Sequence, residues 1–410
     1  MDSVEIALRD AHQRSWAYIL ASVVRFARDL DLAEDAVQDA FVAALESWRR
    51  DGIPNAPAAW LITAAKRKVI DRIRRDASLD RKLPLLIVPE GEPDMEVPSD
   101  IPDERLRLIF TCCHPALNLE ARVALTLRLV CGLTTPEVAR LFVVTEPTMA
   151  ARITRAKKKI AVAGIPYRVP EAHELPDRLP AVLSAIYLVF TEGHAASSGT
   201  RLIREELTTR AIDLARILTR LMPDEPEVIG LLALITLADA RSVTRIDQHQ
   251  QFVPLHEQDR ARWNREQIQT GTDLVERALR LSANRVPGPF ALQAAIGALH
   301  AEAPTFEETD WPQVLALYDL LLEVVPSPVV ALNRSVAISK IEGPAAALRI
   351  VDQIADSGAL ATYPFLAATR ADLLRQLGQI SLARTAYETA LSLTTNSIDR
   401  TYLRNRLNAL

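Results

Sequence analysis

The sequence predicts an all-helical protein divided into several domains. Ala, Leu, Arg and Glu dominate it, and only 13 of its 410 residues are glycine. Long stretches that alternate apolar and polar residues, as half-buried strands do, are absent, whereas apolar residues recur at helical spacing. A chain of this length exceeds a single ordinary core, so we expect roughly two to four domains.

The overall composition indicates a folded protein of a reducing compartment. A net charge of −4 and a hydrophobic fraction of 49% exclude a disordered or generally basic chain, although a local basic patch could still bind DNA. The three cysteines, two of them adjacent, form no disulfide framework. Because no apolar run approaches about 18 residues and the first residues lack the order of a secretion signal, we expect a cytoplasmic protein that does not enter a membrane.

Proline and charge divide the chain into helical domains and linkers. Residues 5–77 form the first expected domain, and residues 104–163 form the second, which ends in a basic run. Residues 78–103 are expected to be a flexible linker, because five prolines interrupt it and its second half is acidic without a basic residue. A joint with further prolines, 165–180, precedes a long helical domain over 180–410.

The long third domain shows a weak internal repeat. Small and apolar residues recur at matching offsets, with a period near the roughly 34 residues of tetratricopeptide repeats. Residues of this kind let the second helix of a helix pair pack on the first. The four sets are Ala211, Ala215, Leu218; Val314, Tyr318, Leu321; Ala347, Val351, Ile354; and Ala383, Tyr387, Ala390. An irregular helical bundle is the alternative interpretation.

Residues 134–160 predict a helix-turn-helix. Each helix begins with a hydroxyl cap and a proline in its first turn, at Thr134 and at Thr145. The second helix has an apolar stripe, Met149, Ile153, Ala156 and Ile160, and a polar stripe, Thr148, Arg152, Arg155 and Lys159. Such a helix suits the major groove of DNA, where Arg can pair with guanine. The alternative is an ordinary solvated basic helix.

A basic helix with an aromatic residue is expected after the loop 54–57. Its buried stripe would be Ile62, Ala65, Val69 and Ile73, and six of the ten residues 66–75 are basic. Cations beside Trp60 could hold an unpaired strand, and the loop could receive a base. A core position for Trp60 is an equally good interpretation.

An acidic helix is expected over 31–48. Its buried stripe would be Val37, Phe41, Ala44 and Trp48, and its polar residues are Asp31, Glu34, Asp35, Gln38 and Asp39. This face could bind a basic partner surface. Acidic residues that merely suit the start of the helix dipole are the alternative.

Signals of an enzyme are poor. The adjacent thiols of Cys112 and Cys113, next to His114, cannot easily bind one tetrahedral ion, and no second ligand pair follows. No glycine-rich phosphate loop or serine-nucleophile motif occurs. Residues 191–194 are interpreted as a helix end with a glycine stop. We therefore expect no catalytic residue, no metal and no cofactor.

The order of these segments resembles the sigma-70 family of RNA polymerase sigma factors, of the small extracytoplasmic-function (ECF) type. The motifs that carry the resemblance are 33–41, 57–61, 65–75 and 122–128. Four further segments are similar to the ECF group with a large C-terminal extension of tetratricopeptide character, namely 187–194, 223–228, 259–263 and 327–334. The resemblance therefore covers nearly the whole chain.

The resemblance implies a role for each group of residues. Asp35, Gln38 and Asp39 would bind the clamp helices of the largest subunit of core RNA polymerase, and the second domain would meet the flap of its beta subunit. The −10 element, as duplex and as melted strand, would be bound by Asn55, Trp60, Lys66, Arg67, Arg72 and Arg74. The −35 element would be read by Glu146, Thr148, Arg152, Arg155 and Lys159. The acidic linker would occupy the nucleic-acid channel of the polymerase.

These implications make the chain a transcription initiation factor that catalyses no reaction. The two DNA-binding domains, tethered by a flexible linker, would have no fixed spacing until polymerase sets it. The C-terminal repeats would regulate the factor through contacts with a protein partner. The alternatives are a helix-turn-helix regulator that acts without docking on polymerase, and an enzyme or ligand sensor that uses the C-terminal helices.

Overall fold

The computed structural model describes residues 3–79, 104–142, 144–171, 173–196 and 199–410. Across these residues the regular structure is helical, and the β-type pairing they contain is a single bridge between Ile246 and Phe252. The prediction of an all-helical protein is therefore confirmed. Nearly all of the expected linker 78–103 lies outside the described residues. Two compact units, Met1–Ala185 and Ile186–Leu410, divide the chain.

The first unit begins with three helices, α1 (Ser3–Ala27), α2 (Leu30–Asp51) and α3 (Pro57–Leu79). Each of the three packs on the other two. The Asp29 side chain caps α2 by accepting hydrogen bonds from the backbone N–H groups of Asp31 and Leu32. The expected apolar stripe of α3 is buried from Ile62 to Val69, but Ile73 is 38% exposed because it lies beyond the end of this packing.

The rest of the first unit consists of helices in and around the helix-turn-helix, the last of which, α8, continues into the second unit. They are α4 (Glu104–Cys112), α5 (Leu119–Leu125), a π-helical turn (Thr126–Val130), α6 (Thr135–Leu141), α7 (Glu146–Val162) and α8 (Leu175–His194). A capping box between Thr134 and Glu137 begins α6, and Thr145 caps α7. The joint predicted to end at Pro180 is shorter than expected, because α8 already begins at Leu175 and contains that proline.

The second unit is a series of helices in which neighbours along the chain pack on one another. They are α9 (Glu205–Leu221), α10 (Pro226–Asp239), α11 (Arg265–Leu281), α12 (Pro289–Glu302), α13 (Trp311–Val324), α14 (Pro328–Ile341), α15 (Pro344–Asp356), α16 (Pro364–Gln376), α17 (Ile380–Leu393) and α18 (Ser397–Asn408). The repeat positions found in the sequence fall on α9, α13, α15 and α17 and face the interior, with Tyr318 half-buried. This is the one-dimensional packing of a tetratricopeptide-like domain.

Gly193 corrects one interpretation of the sequence. Helix α8 does end in this segment, at His194, but Gly193 lies inside the helix and is not the residue that stops it. A Cβ atom at Gly193 would lie 2.6 Å from the backbone nitrogen of Thr208 on α9. The glycine is therefore explained by the close approach of two helices.

Candidate nucleic-acid interface

The second helix of the helix-turn-helix, α7, presents a polar and basic face to solvent. Glu146, Thr148, Arg155 and Lys159 are exposed, whereas the opposite stripe of Met149, Ile153, Ala156 and Ile160 is buried. The Arg155 Nε atom donates to the carbonyl of Ala151, 3.2 Å away. This face can therefore offer guanidinium, ammonium and hydroxyl groups to a duplex groove.

Arg152 differs from the other expected residues of this face. Its side chain is 23% exposed and forms an ion pair with Glu120, with Nη1 and Oε2 3.1 Å apart. The guanidinium also lies 5.5 Å from the centre of the Phe142 ring. Contact with a base would require Arg152 to leave Glu120, so Arg152 is less available than Arg155.

The expected −10 residues line the exposed side of α3 and the turn before it. Asn55, Arg67, Arg72 and Arg74 are exposed. Lys66 is half-buried, with its Nζ atom 5.8 Å from the centre of the Phe26 ring. The cations therefore share one helix and can follow a phosphate backbone.

Trp60 has a position that the sequence left open. It is half-buried, and its ring meets the buried Trp48 edge-on, with ring centroids 5.6 Å apart. This contact fixes the plane of the indole while part of it stays at the surface. Trp60 therefore combines both interpretations: one edge belongs to the core and the remainder faces solvent.

The expected polymerase-binding residues lie on the exposed face of α2. Asp35, Gln38 and Asp39 are all exposed. Glu34, which the sequence groups with them, is instead 5% exposed. The Gln38 side chain bridges the two environments, because its Nε2 donates to Glu34 Oε1 at 3.3 Å.

Glu34 is the centre of a buried ion cluster that joins α2 to the second half of the first unit. Lys157 on α7 lies 2.5 Å from Glu34 Oε2 and 2.7 Å from Asp31 Oδ1. Arg128, in the π-helical turn, forms an ion pair with the other oxygen of Glu34 and donates to the carbonyl of Leu133 at 3.0 Å. Burial by itself lowers the pKa of Lys157, but the two carboxylates outweigh burial and leave the pKa above its ordinary value.

This cluster could not be found in the sequence. Glu34 and Lys157 are 123 residues apart, and each resembles its solvated neighbours in a charged run. The sequence places Lys157 in the basic run that ends the helix-turn-helix, close to its polar stripe, and Glu34 among the polar residues of the acidic helix. The structure buries both side chains.

Further contacts join the first three helices to the helix-turn-helix half of the unit. The indole N–H of Trp16 donates to the carbonyl of Leu129 at 3.0 Å, in the interior. Arg25 and the buried Glu104 form an ion pair of 2.9 Å. The expectation that the two DNA-binding domains have no fixed spacing in the free protein is therefore wrong for this structure, which packs them into one body.

The cysteines lie in the interior of the same unit. Cys112, Cys113 and Cys131 are buried and form no disulfide, and burial raises the pKa of Cys113 to about 11. Among the described residues, no group of three or more His, Cys, Asp or Glu side chains is arranged to hold a metal ion. No helix in the described part of the chain is long and apolar enough to cross a membrane.

Comparison with protein families finds three matching stretches. Residues 11–78 match sigma-70 region 2, residues 107–160 match sigma-70 region 4, and residues 178–279 match a family of unknown function, DUF6596. The first two stretches contain the −10 and −35 candidate residues. The third covers most of α8 and continues into α11.

Two kinds of relatives resemble the chain over different lengths. An uncharacterized protein of Rhizobium meliloti is 42% identical over 414 residues, which covers 99% of this chain and 96% of the relative. The ECF RNA polymerase sigma factor SigK of Mycobacterium tuberculosis is 30% identical over 156 residues, 36% of this chain and 80% of SigK. A SigK from another Mycobacterium species is 28% identical over 149 residues, 35% of this chain and 75% of that protein.

Proposed function

Because the chain belongs to the sigma-70 family of RNA polymerase sigma factors, in its ECF type, and so serves transcription initiation, we propose a specific division of labour within it. Region 2 docks on core polymerase and captures the melted −10 element. Region 4 reads the −35 element as duplex DNA. The second unit regulates both through protein contacts, and no step of the work is catalysed by the chain itself.

Reading of the −35 element is assigned to the exposed face of α7. Arg155 can donate two hydrogen bonds to the O6 and N7 atoms of a guanine, and Thr148 and Lys159 can bind phosphates beside it. Glu146, at the first turn, can accept from the amino group of a cytosine. The capped start of α7 and its buried apolar stripe support this assignment, because they fix the helix that carries these side chains.

Capture of the −10 element is assigned to α3 and the preceding turn. Arg67, Arg72 and Arg74 can hold the backbone of an unpaired strand, and the exposed part of Trp60 can stack on a base. Asn55 lies in the turn that would enclose a flipped base. Each stacked base contributes roughly 1–3 kcal/mol, which offsets the cost of opening the duplex.

Docking on polymerase is assigned to Asp35, Gln38 and Asp39 on α2. They form an exposed acidic patch suited to a basic surface such as the clamp helices of the largest subunit, while region 4 would meet the beta-subunit flap. The acidic linker 78–103 would follow the nucleic-acid channel of the polymerase. The chain would act in the cytoplasm, where core polymerase works.

Regulation through the second unit is supported by its form. It is a long series of helices with an open groove of about 430 Å³ between α15, α16 and α17. Asp352, Asp356, Tyr363 and Arg370 are among the residues that line it. Apolar walls with a few charged groups suit an amphipathic segment of a protein partner.

One observation carries the proposal. The capped helix α7, with its exposed polar and basic face, and the basic helix α3 lie in the same unit, in the stretches that match sigma-70 regions 4 and 2. We would mix the purified full chain with bacterial core polymerase on a genomic promoter library and measure run-off transcripts. Arg155→Ala should weaken the transcripts roughly 5- to 150-fold, because one bidentate base contact is lost. Arg220→Ala removes an exposed arginine from α9 and should leave them unchanged.

Two results would contradict the proposal. One is an active core enzyme that yields no transcript dependent on the chain. The other is tight, sequence-specific binding of duplex DNA by the isolated chain with no effect of polymerase, which would identify a conventional regulator. Arg152→Ala should weaken transcription less than Arg155→Ala, since Arg152 must first leave Glu120.

A further inference from the structure

The segment between α10 and α11, residues 240–264, places three arginines in the interior of the second unit. Arg245 and Arg260 are 8% and 6% exposed, and Arg241 is half-buried. Buried arginines are rare in proteins unless an acceptor or a negative charge pairs with them. The partners of each guanidinium therefore decide what these three residues, here called the arginine cluster, can do.

Two members of the arginine cluster bind the ends of helices. The Nη1 atom of Arg245 donates to the carbonyl of His194, the last residue of α8. The Nη1 atom of Arg260 donates to the carbonyls of His300 and Ala303, at 2.6 Å and 2.7 Å, where α12 ends. Carbonyl groups at a helix end carry only a partial negative charge. These contacts therefore fix the two side chains but leave much of their positive charge uncompensated.

Arg241 has no such partner. Among the described residues, no carbonyl, carboxylate or hydroxyl group forms a hydrogen bond or an ion pair with its guanidinium. Burial, followed by repulsion from Arg260, lowers the pKa of Arg241 to about 10, so the side chain still carries its charge near pH 7. Its nitrogens are not sealed from solvent, whereas the Nη2 atom of Arg260 is enclosed without a partner. All five N–H donors of Arg241 are therefore available to a ligand.

The surroundings of Arg241 add positive charge and little negative charge. Burial, followed by repulsion from Arg241, lowers the pKa of Arg245 to about 9. The carboxylates that act on the cluster are Asp399, which acts on Arg245, and Glu307, which acts on Arg260. In the described part of the chain, neither carboxylate comes within ion-pair distance of these arginines. The cluster therefore holds three cations without a carboxylate in direct contact, an arrangement that is costly unless an anion binds there.

A phosphate group fits this surplus of positive charge better than a carboxylate does. A phosphate monoester carries a charge of roughly −1.5 to −2 near pH 7 and has three strong acceptor oxygens. A carboxylate has a single charge and two oxygens. The planar fork of an arginine matches pairs of phosphate oxygens. A bound phosphate would thus pair with the cation that the protein itself leaves without a partner.

We propose that the arginine cluster binds a phosphate group, either inorganic phosphate or the phosphate of a small ester, with Arg241 as the residue that holds it. Arg245 and Arg260 stay fixed on the helix ends and supply positive charge around the site. All three arginines lie within residues 178–279, the stretch that matches the family of unknown function. The proposal gives that stretch a ligand, and it does not depend on promoter binding.

The test measures ligand binding by the full chain in phosphate-free buffer. Isothermal titration calorimetry with inorganic phosphate, and separately with glycerol 3-phosphate, gives the Kd of each ligand for the wild type and two variants. Arg241→Gln removes the charge and keeps a polar side chain. Arg220→Gln removes an exposed arginine of α9 and is the matched control. Thermal unfolding of the same proteins without ligand reports their stability.

The wild type should bind at least one of the two ligands, and Arg220→Gln should bind it with the same Kd. Arg241→Gln should weaken that binding at least about tenfold, because hydrogen bonds to a charged donor are lost. Without ligand, the melting temperature of Arg241→Gln should be no lower than that of the wild type, since the substitution removes a buried cation that the protein does not pair. Tighter binding of glycerol 3-phosphate would identify a phosphorylated small molecule as the ligand, and tighter or equal binding of inorganic phosphate would identify the free ion.

Three results would overturn the proposal. The first is a wild-type chain that binds neither ligand. The second is an equal Kd in the wild type and Arg241→Gln, which would place any bound phosphate elsewhere. The third is a lower melting temperature, or loss of folding, of Arg241→Gln in the absence of ligand, because that result would give Arg241 a structural role.

Discussion

Neighbouring residues of one type have different roles in this protein. Lys157 is buried in an ion cluster, and Lys158 and Lys159 beside it are exposed. Arg152 is held by Glu120, while Arg155 faces solvent. A helix turns by about 100° per residue, so adjacent side chains enter unlike environments. The chemistry of a charged run is therefore decided one residue at a time.

His300 leads to a prediction about pH. It packs edge-on against Trp311, with ring centroids 5.3 Å apart, and its Nδ1 atom has no hydrogen-bond partner. Burial, followed by repulsion from Arg241 and Arg260, lowers the pKa of His300 to about 4. The unfolded chain binds a proton at this histidine near pH 6.5, and the folded chain does not. The free energy of unfolding therefore falls as the pH drops below 6.5.

The expected loss from His300 is about 2 kcal/mol in the free energy of unfolding between pH 7 and pH 5. Denaturant unfolding of the full chain at both pH values would measure it. His300→Gln should remove this part of the pH dependence, whatever its effect at pH 7. His249→Gln, at an exposed position, is the control; an equal pH slope in the wild type and His300→Gln would refute the explanation.

At the scale of elements, capping side chains decide where helices begin, and small residues decide how closely helices pack. The Thr134–Glu137 capping box and the Thr145 cap begin α6 and α7 where the sequence predicts. Glycine has a different role within helices, because it allows two of them to approach closely. Gly193 does this between α8 and α9, where the sequence suggested only a helix end.

Gly193→Ala should destabilise the protein by about 1–3 kcal/mol, because its Cβ would lie 2.6 Å from the Thr208 nitrogen and would force the backbones apart. Gly297→Ala is the matched control within α12. Its Cβ would meet Leu237 at an ordinary 3.8 Å, so better helix propensity should stabilise the chain by up to about 1 kcal/mol. Thermal unfolding of the two variants would compare them, and equal melting temperatures would contradict the packing argument.

At the scale of the whole molecule, the chain combines a DNA-binding unit with a helical-repeat unit. The boundary between the units falls within α8, after Ala185. A truncation at the predicted joint near residue 170 would remove Arg178, whose Nη2 donates to the buried carbonyl of Phe110 at 2.8 Å. A truncation after His194 keeps α8 whole and is the better fragment.

The fragment that ends at His194 should change the yield of run-off transcripts at least about fivefold relative to the full chain, which is the range of ordinary coupling between sites. A higher yield would mean that the second unit inhibits, and a lower yield that it activates. Arg155→Ala in the fragment controls for specific transcription. Equal yields under the same signals would refute regulation by the second unit.

Much of the protein could be predicted because its signals are local. Helical periodicity, hydroxyl caps and proline positions depend on residues within one or two turns, and they predicted the all-helical class, the helix-turn-helix and the buried repeat positions. The charged faces of α2, α3 and α7 followed from the same periodicity. Motifs of this kind also carried the resemblance to ECF sigma factors, which the family matches confirmed.

Only the tertiary structure decided which charged residues of those helices are buried and not exposed. Lys157 and Glu34 look like their solvated neighbours in sequence, and 123 residues separate them. Burial of an ion pair depends on long-range packing that brings both partners together, because neither charge can be buried alone. The sequence by itself therefore determined the helices and the family, whereas packing decided that regions 2 and 4 form one closed body.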